Sequence, residues 1–494
     1  MEEVKHGLVE PQELSEEEVR RGLWLVIKDG MASQAMATLT GGAFLTAFAL
    51  ALGASNFLIG LLSAIPLFAQ FLQLPALFLI GPLKRRSICV WASGIGRSAW
   101  LAAALVPLFA PKEVALKVLV GAVAFQAAFA AVSNASWNSW MRDLVPEKEF
   151  GRFFSRRMAL TTALAVILAL LGGFFVDQWQ RWFPGRGLGA YCFLYFCGFL
   201  LGFWGLKYLS QIPEPPLRLG RESPGAFRSL LGPLRDENFR RLLRFYGLWS
   251  FAMNFASPFF VVYMVLWLKM SMALIVALGV LGQFVGLVFL PIWGRLSDAM
   301  ANKSVLRISV PLYALSLIAW TFTTLPEPHA MTVPLLVGIY VAVGVSQAGV
   351  TLAASNISLK LSPKGAAAPY LAAYNVLGSI LGGMASVLGG VVADALKGYS
   401  FGFFFEVSSP TRQYLQPLLH FKDLDFLFLL ASLMGFMSLR ELSRVKEEGE
   451  LEKGLLVDLL LEEVKRPIKE LIPREGLKNF LGVLTVSQRR EKGG

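Results

Sequence analysis

Apolar residues run along this chain in unbroken stretches of about twenty. They do not alternate, and they do not recur every third or fourth position. The stretches lie near 31–54, 56–80, 87–110, 114–136, 158–178, 188–210, 246–268, 270–293, 304–325, 331–354, 368–393 and 420–440. Each is long enough to cross roughly 30 Å of hydrocarbon as a helix. A membrane barrel would need period-two alternation, so the pattern predicts an all-α membrane protein with twelve transmembrane helices. The last stretch is the least clean, because Lys422, Asp423 and Asp425 crowd its start.

The pattern is written twice. Leu171-Gly172-Gly173-Phe174-Phe175-Val176-Asp177 returns 217 positions later as Leu388-Gly389-Gly390-Val391-Val392-Ala393-Asp394, and Pro146 returns as Pro363. Upstream the offset is 213: Gln70 matches Gln283, and Gly81-x-Leu83 matches Gly294-x-Leu296. Removing Ser297 to Met300 brings the copies into register and pairs Ser87 with Ser304. A duplicated apolar chain predicts two six-helix repeats with a site where they meet. Asp177 and Asp394 end equivalent helices, which predicts twin capping or gating contacts.

Of 494 residues 55% are hydrophobic and only 16% charged, too little polar surface for a soluble protein of this size. The net charge of +12 does not point to nucleic acid, because it is sorted by side. Of 46 Lys and Arg, 37 fall on the side of the termini, 8 on the other side and one, Arg97, inside a stretch. By the positive-inside rule both termini are expected in the cytoplasm, in a cytoplasmic (inner) membrane. The three cysteines form no metal-ligand cluster. No phosphate-cradling loop, zinc spacing or nucleophile motif occurs, so neither an ATP-driven pump nor an enzyme is expected, and no cofactor or metal.

Five segments follow. Residues 1–28 are a polar lead, with Ser15-Glu16-Glu17-Glu18 in capping-box form opening an amphipathic helix that is expected to rest on the membrane surface. Residues 29–210 are the first six-helix bundle, 211–240 a proline- and arginine-bearing linker, 241–440 the second bundle. Residues 441–494 are a charged tail in which Leu455, Leu456, Leu459, Val464, Ile468 and Leu471 keep helical spacing.

Between the eighth and ninth stretches stands Gly294-Arg295-Leu296-Ser297-Asp298-Ala299-Met300-Ala301-Asn302-Lys303-Ser304. This resembles the cytoplasmic loop of the major facilitator superfamily, Gly-x-Leu-(small)-Asp-Arg-x-Gly-Arg-(basic). Gly294, Leu296, Asp298 and Lys303 keep the pattern, whereas Ala299, Ala301 and Asn302 depart from it. The first copy is eroded to Gly81, Leu83 and Lys84-Arg85-Arg86, without the aspartate. The resemblance covers roughly 30–440 and implies the major facilitator fold. It also implies a gating role for Gly294 and Asp298, with Asp298 set against the start of the fifth helix beside Arg156 and Arg157. A carboxylate suits that place because a helix N-terminus favours negative charge.

Polar groups inside apolar stretches are expensive and therefore mark function or helix contacts. Gln34, Gln126, Asn134, Asn254, Gln347 and Asn356 are the candidate solute contacts, with Arg97 as an anion contact about 15 Å into the membrane or, alternatively, tied to backbone carbonyls or to Asp29. The superfamily places helices one, four, seven and ten around its cavity, and these six amides fall on those helices. The expected function is alternating-access transport of a small neutral or anionic polar solute by a monomer in a lipid bilayer, with the coupling ion open. A transporter-like receptor or assembly factor that binds without translocating stands as an alternative, as does a lipid-handling protein with a lateral opening.

Overall fold

The computed structural model describes residues 14–76, 79–80, 82–216, 232–324, 327–363, 367–409 and 412–447. Gly81 and the tail positions Leu455 to Leu471 lie outside them. Among the described residues twelve helices are long and apolar enough to cross a membrane. As spans 1 to 12 they run Glu16–Ala51, Asn56–Ala76, Arg85–Phe109, Lys112–Leu144, Glu147–Trp182, Gly187–Leu209, Glu237–Leu266, Met272–Ala299, Asn302–Thr323, Thr332–Lys360, Pro369–Ala395 and Leu424–Ser443. Each overlaps one of the twelve apolar stretches, and the two sets of six form two bundles.

Both bundles open with a broken helix. Span 1 is helical over Glu16–Thr40 and again over Gly42–Ala51, with Gly42 at φ +53°. Span 7 is helical over Glu237–Ala256 and Phe259–Leu266, with Pro258 between them. A break orphans backbone carbonyls, and each bundle supplies a hydroxyl. Tyr195 Oη donates to the Thr40 carbonyl at 2.9 Å, and Ser386 Oγ donates to the Asn254 carbonyl at 3.2 Å.

The lead departs from expectation. Ser15 does form the capping box: its hydroxyl accepts from the Glu18 N–H at 3.2 Å, and the Glu18 carboxylate accepts from the Ser15 N–H at 2.9 Å. The helix then continues unbroken through Thr40, with no Pro to stop it, instead of lying apart on the membrane surface. Its apolar residues Leu25, Val26 and Ile27 are buried in one cluster with Trp140, Met141 and Leu209. The helix therefore packs against spans 5 and 6 and shares that cluster with span 4, so it is not a separate surface helix.

A second departure lies between spans 11 and 12. Strand β1 (Ser400–Ser409) pairs antiparallel with β2 (Arg412–Lys422) in a hairpin that the apolar pattern did not announce. Lys422 closes the hairpin, Asp423 turns the chain at φ +49°, and span 12 starts at Leu424. The ends of the bundles on this side are the hairpin end. The opposite ends, which carry the 211–240 segment, are the linker end.

Candidate functional site

The repeated Leu-Gly-Gly-x-x-x-Asp segment holds the bundles together at the hairpin end. Its first glycine packs on its own bundle: a Cβ on Gly172 would lie 2.8 Å from the Phe44 ring, and one on Gly389 would lie 3.1 Å from the Phe259 ring. Its second glycine packs on the other bundle. A Cβ on Gly173 would lie 3.0 Å from Ala273 Cα, and one on Gly390 would lie 2.8 Å from Phe57 Cα. The aspartate follows four residues later, on the same helix face. Asp177 of span 5 accepts from the N–H groups of Met272 and Ala273, at 2.8 and 2.9 Å, at the start of span 8. Asp394 of span 11 accepts from Asn56 and Phe57, at 3.0 and 2.8 Å, at the start of span 2. Ser271 and Ser55 cap the third N–H of each helix, both at 3.3 Å. Two carboxylates thus sit on two helix N-termini, where the dipole favours them.

Between the bundles, beside these caps, is a cavity of about 370 Å³ whose polar lining is Gln34, Thr38, Gln283 and Tyr340. Its walls are otherwise small or apolar, Phe44 among them, and Gly41 and Gly42 of the span 1 break belong to them.

A second cavity of about 440 Å³ lies within the first bundle, toward the linker end. Among the described residues three charged ones line it: Asp29, Arg97 and Arg157. Arg97 leaves span 3 and crosses beneath span 6, where small residues make room. A Cβ on Gly205 would lie 3.0 Å from Arg97 Nη1 and 3.2 Å from Asp29 Oδ1. Arg97 donates to the Gly202 carbonyl at 2.5 Å and to Ser33 Oγ at 2.7 Å, and pairs with Asp29 at 3.6 Å. Ser33 in turn donates to Asp29 at 3.3 Å. Asp29 and Arg97 are 5% and 7% exposed, so this is a satisfied, buried pair. Arg157 stands over the Trp137 ring at 4.9 Å. Amides complete the lining: Gln73 from the end of span 2, and Gln126, Asn134 and Asn138 from span 4.

Broken helices paired by pseudo-symmetry, with polar cavities inside a twelve-helix membrane protein, are the architecture of a secondary transporter. Residues 30–387 match the Major Facilitator Superfamily. The chain belongs to that superfamily. It is a multi-pass membrane transporter, embedded in lipid and serving a small-molecule substrate. None of the curated protein sequences matches it. Solved structures share its fold. The nucleoside transporter NupG superposes with a TM-score of 0.58 at 14% identity, over 87% of this chain and 100% of that one. A bacterial homologue of the iron transporter ferroportin, in its inward-facing state, gives 0.62 at 15% identity over 87% and 100%. A bacterial homologue of the human lysosomal transporter Spinster, inward-facing and occupied, gives 0.59 at 13% identity over 87% and 97%.

The predicted solute contacts divide among several places. Gln34 lines the cavity between the bundles, and Gln126, Asn134 and Arg97 line the cavity of the first bundle. Asn254 points back into its own bundle, donating to the Ser250 carbonyl at 2.8 Å beneath Gly382. Gln347 and Asn356 are exposed on span 10 and line neither cavity. Ser33, Gln73, Trp137 and Asn138 join the site although they were not singled out as contacts. The span 4 members could have been read from the sequence, since Gln126, Asn134, Trp137 and Asn138 recur on one helical face.

The gating residues divide as well. Gly294 and Asp298 sit in a continuous helix, Met272–Met300, not in a loop. Asp298 is exposed, and no bond joins it to Arg156 or Arg157 among the described residues. Arg156 stands over Trp24 at 5.4 Å, while Arg157 turns into the first-bundle cavity. The turn into span 9 falls on Ala301, at φ +68° and ψ 150°. That region is populated almost only by glycine, and the superfamily's loop carries glycine at this place. Ala301→Gly is expected to stabilise the protein by about 1–2 kcal/mol. A thermal midpoint that stays put or falls would show that no strain is held there. The start of span 9 is served by Glu447, which accepts from the N–H groups of Asn302 and Lys303 at 3.3 and 2.8 Å.

Proposed function

We propose that this chain is an alternating-access transporter of a small polar solute, neutral or anionic, in a cytoplasmic membrane, with its linker end and both termini in the cytoplasm. The sorting of basic residues supports the orientation. The observation that carries the mechanism is the pair of inter-bundle caps, Asp177 on span 8 and Asp394 on span 2. They fasten the bundles at the hairpin end beside polar cavities, which is an inward-facing arrangement. Rocking of the units 29–210 and 241–440 would release both caps and bring the linker ends together. Gln34 and Gln283 contribute from opposite bundles; Gln126 and Asn134 contribute from the first. Neighbours of the same fold are a nucleoside transporter and bacterial homologues of an iron transporter and of a human lysosomal transporter, so the fold leaves the solute to the side chains.

Counterflow uptake in proteoliposomes tests the proposal: solute-dependent exchange is expected, and binding without exchange would indicate a receptor. In the opposite state Gly294 and Asp298 approach the start of span 5 near Arg156. A Lys148→Cys protein should resist impermeant thiol reagents applied outside intact cells. Adding Asp298→Asn should raise linker-end labelling in inverted vesicles, because charge-assisted bonds of about 1.5–3 kcal/mol are weakened. Ready labelling of position 148 from outside refutes the orientation, and unchanged labelling with Asp298→Asn refutes the latch.

A further inference from the structure

We propose that the first-bundle cavity takes a small organic monoanion, a hydroxylated carboxylate, and that Arg157 receives its charge. The inference rests on the transporter reading and specifies its solute.

The two arginines of the cavity are in opposite situations. Arg97 has Gly202, Ser33 and Asp29 as partners. Arg157 donates no hydrogen bond among the described residues, and its Nε is buried without a partner. A guanidinium carries five N–H donors and no acceptor, and leaving it unpaired away from water is costly. It is nevertheless held in place. The Trp137 ring lies 4.9 Å beneath it, and the backbone of span 1 backs it so closely that a Cβ on Gly30 would lie 2.7 Å from Nε. Gly30 is therefore a positioning residue, and Trp137 favours a flat, oriented cation. An immobilised guanidinium without an acceptor is a preorganised anion receptor.

Charge arithmetic then limits the anion. Among the described residues the cavity's charged lining is Arg97, Arg157 and Asp29, a sum of +1. One negative charge neutralises it. A phosphate monoester, at roughly −1.5 to −2, would leave negative charge uncompensated inside the membrane. A neutral solute would leave Arg157 unpaired. The amides Gln73, Gln126, Asn134 and Asn138 offer donors and acceptors together, which suits hydroxyls on the remainder of the solute.

The test is thermal unfolding of the full-length protein in nanodiscs with four probes: D-gluconate, D-glucuronate, neutral D-glucose and dianionic D-glucose 6-phosphate. The two carboxylates are expected to raise the midpoint, since a ligand stabilises the state it binds, and the other two are not. Arg157→Gln should weaken carboxylate binding about ten- to hundredfold. Arg157→Lys keeps the charge but loses the fork, and Gly30→Ala displaces it, so both should weaken binding by a smaller factor. Arg157→Lys also stands in if the glutamine variant does not fold. Stabilisation by neither carboxylate, equal stabilisation by D-glucose, or full carboxylate binding in Arg157→Lys and Arg157→Gln alike would each overturn the assignment. Cysteine accessibility from both sides of the membrane reports alternating access without any solute. A protein that alternates but ignores carboxylates loses only this inference, whereas one that never alternates loses the transporter reading itself.

Discussion

Replacing Asp177 or Asp394 by asparagine should open the hairpin end. Each carboxylate accepts two N–H groups of a helix in the opposite bundle. Asparagine keeps the size and one acceptor oxygen but loses the charge that answers the helix dipole. Hydrogen bonds to a charged group contribute about 1.5–3 kcal/mol, so one substitution should move the ratio of closed to open hairpin ends about ten- to hundredfold. The two caps lie on different helix pairs and share no partner, so their effects should add in the double variant. Gly173 and Gly390 act in the same contacts by a different route, because each leaves room for the facing backbone. Gly173→Ala should therefore also favour the open end, through a clash rather than a lost charge. A cysteine at Gly279, in the wall of the cavity between the bundles, reads the outcome in a Cys197→Ser background. Its labelling from the hairpin side should rise in each asparagine variant and most in the double one. Equal labelling in parent and double variant would mean that the caps hold helix ends without controlling access.

These caps were legible in the sequence because duplication marks them. Asp177 and Asp394 stand in the same seven-residue segment, and the glycine four residues earlier puts both on one helix face. The twelve spans were legible too, since lipid tolerates only continuous apolar helices. What failed was whatever depended on where helices begin. An apolar run starting at 158 leaves Arg157 outside the membrane, yet the helix starts at Phe150 and carries Arg157 two turns in. A run starting at 31 likewise hides Asp29, which lies thirteen residues into a helix that starts at Glu16. Hydropathy cannot register polar residues that a neighbouring helix covers, so Arg157 was read as part of a gate, whereas Arg97 tied to a backbone carbonyl and to Asp29 was among the readings of the sequence and is what the structure holds. Asn254 and Gln347 line neither cavity for another reason. Sequence assigns a polar residue to a helix but not to a face, and small changes of rotation separate a cavity contact from a bond within the bundle. The hairpin was missed because it falls between two membrane stretches, although Phe401, Phe403, Phe405 and Val407 alternate along β1; β2 carries no such pattern.

The largest loss of stability should come from that charged floor. Asp29→Asn removes the counter-charge of Arg97 and leaves two guanidinium groups facing one cavity with no carboxylate between them. Breaking a buried pair by deleting one partner typically costs about 3–5 kcal/mol, because the other charge stays buried without compensation. Arg97→Met should cost less, though still destabilise, because Asp29 loses its nearest partner while Arg157 still faces the same cavity. Exchanging the pair for apolar groups of similar volume is often close to neutral. Asp29→Leu combined with Arg97→Met should therefore recover most of the stability that either single change loses. Full recovery is not expected, since Ser33 loses both of its charged partners and the Gly202 carbonyl loses the Arg97 donor. Thermal unfolding in nanodiscs measures all four proteins. Both single variants should melt several degrees below the parent, with the double variant above either. A double variant that melts at the sum of the two losses would show that Asp29 and Arg97 act independently. The 3.6 Å pair would then be an incidental contact between two residues held by Ser33 and the span 6 backbone.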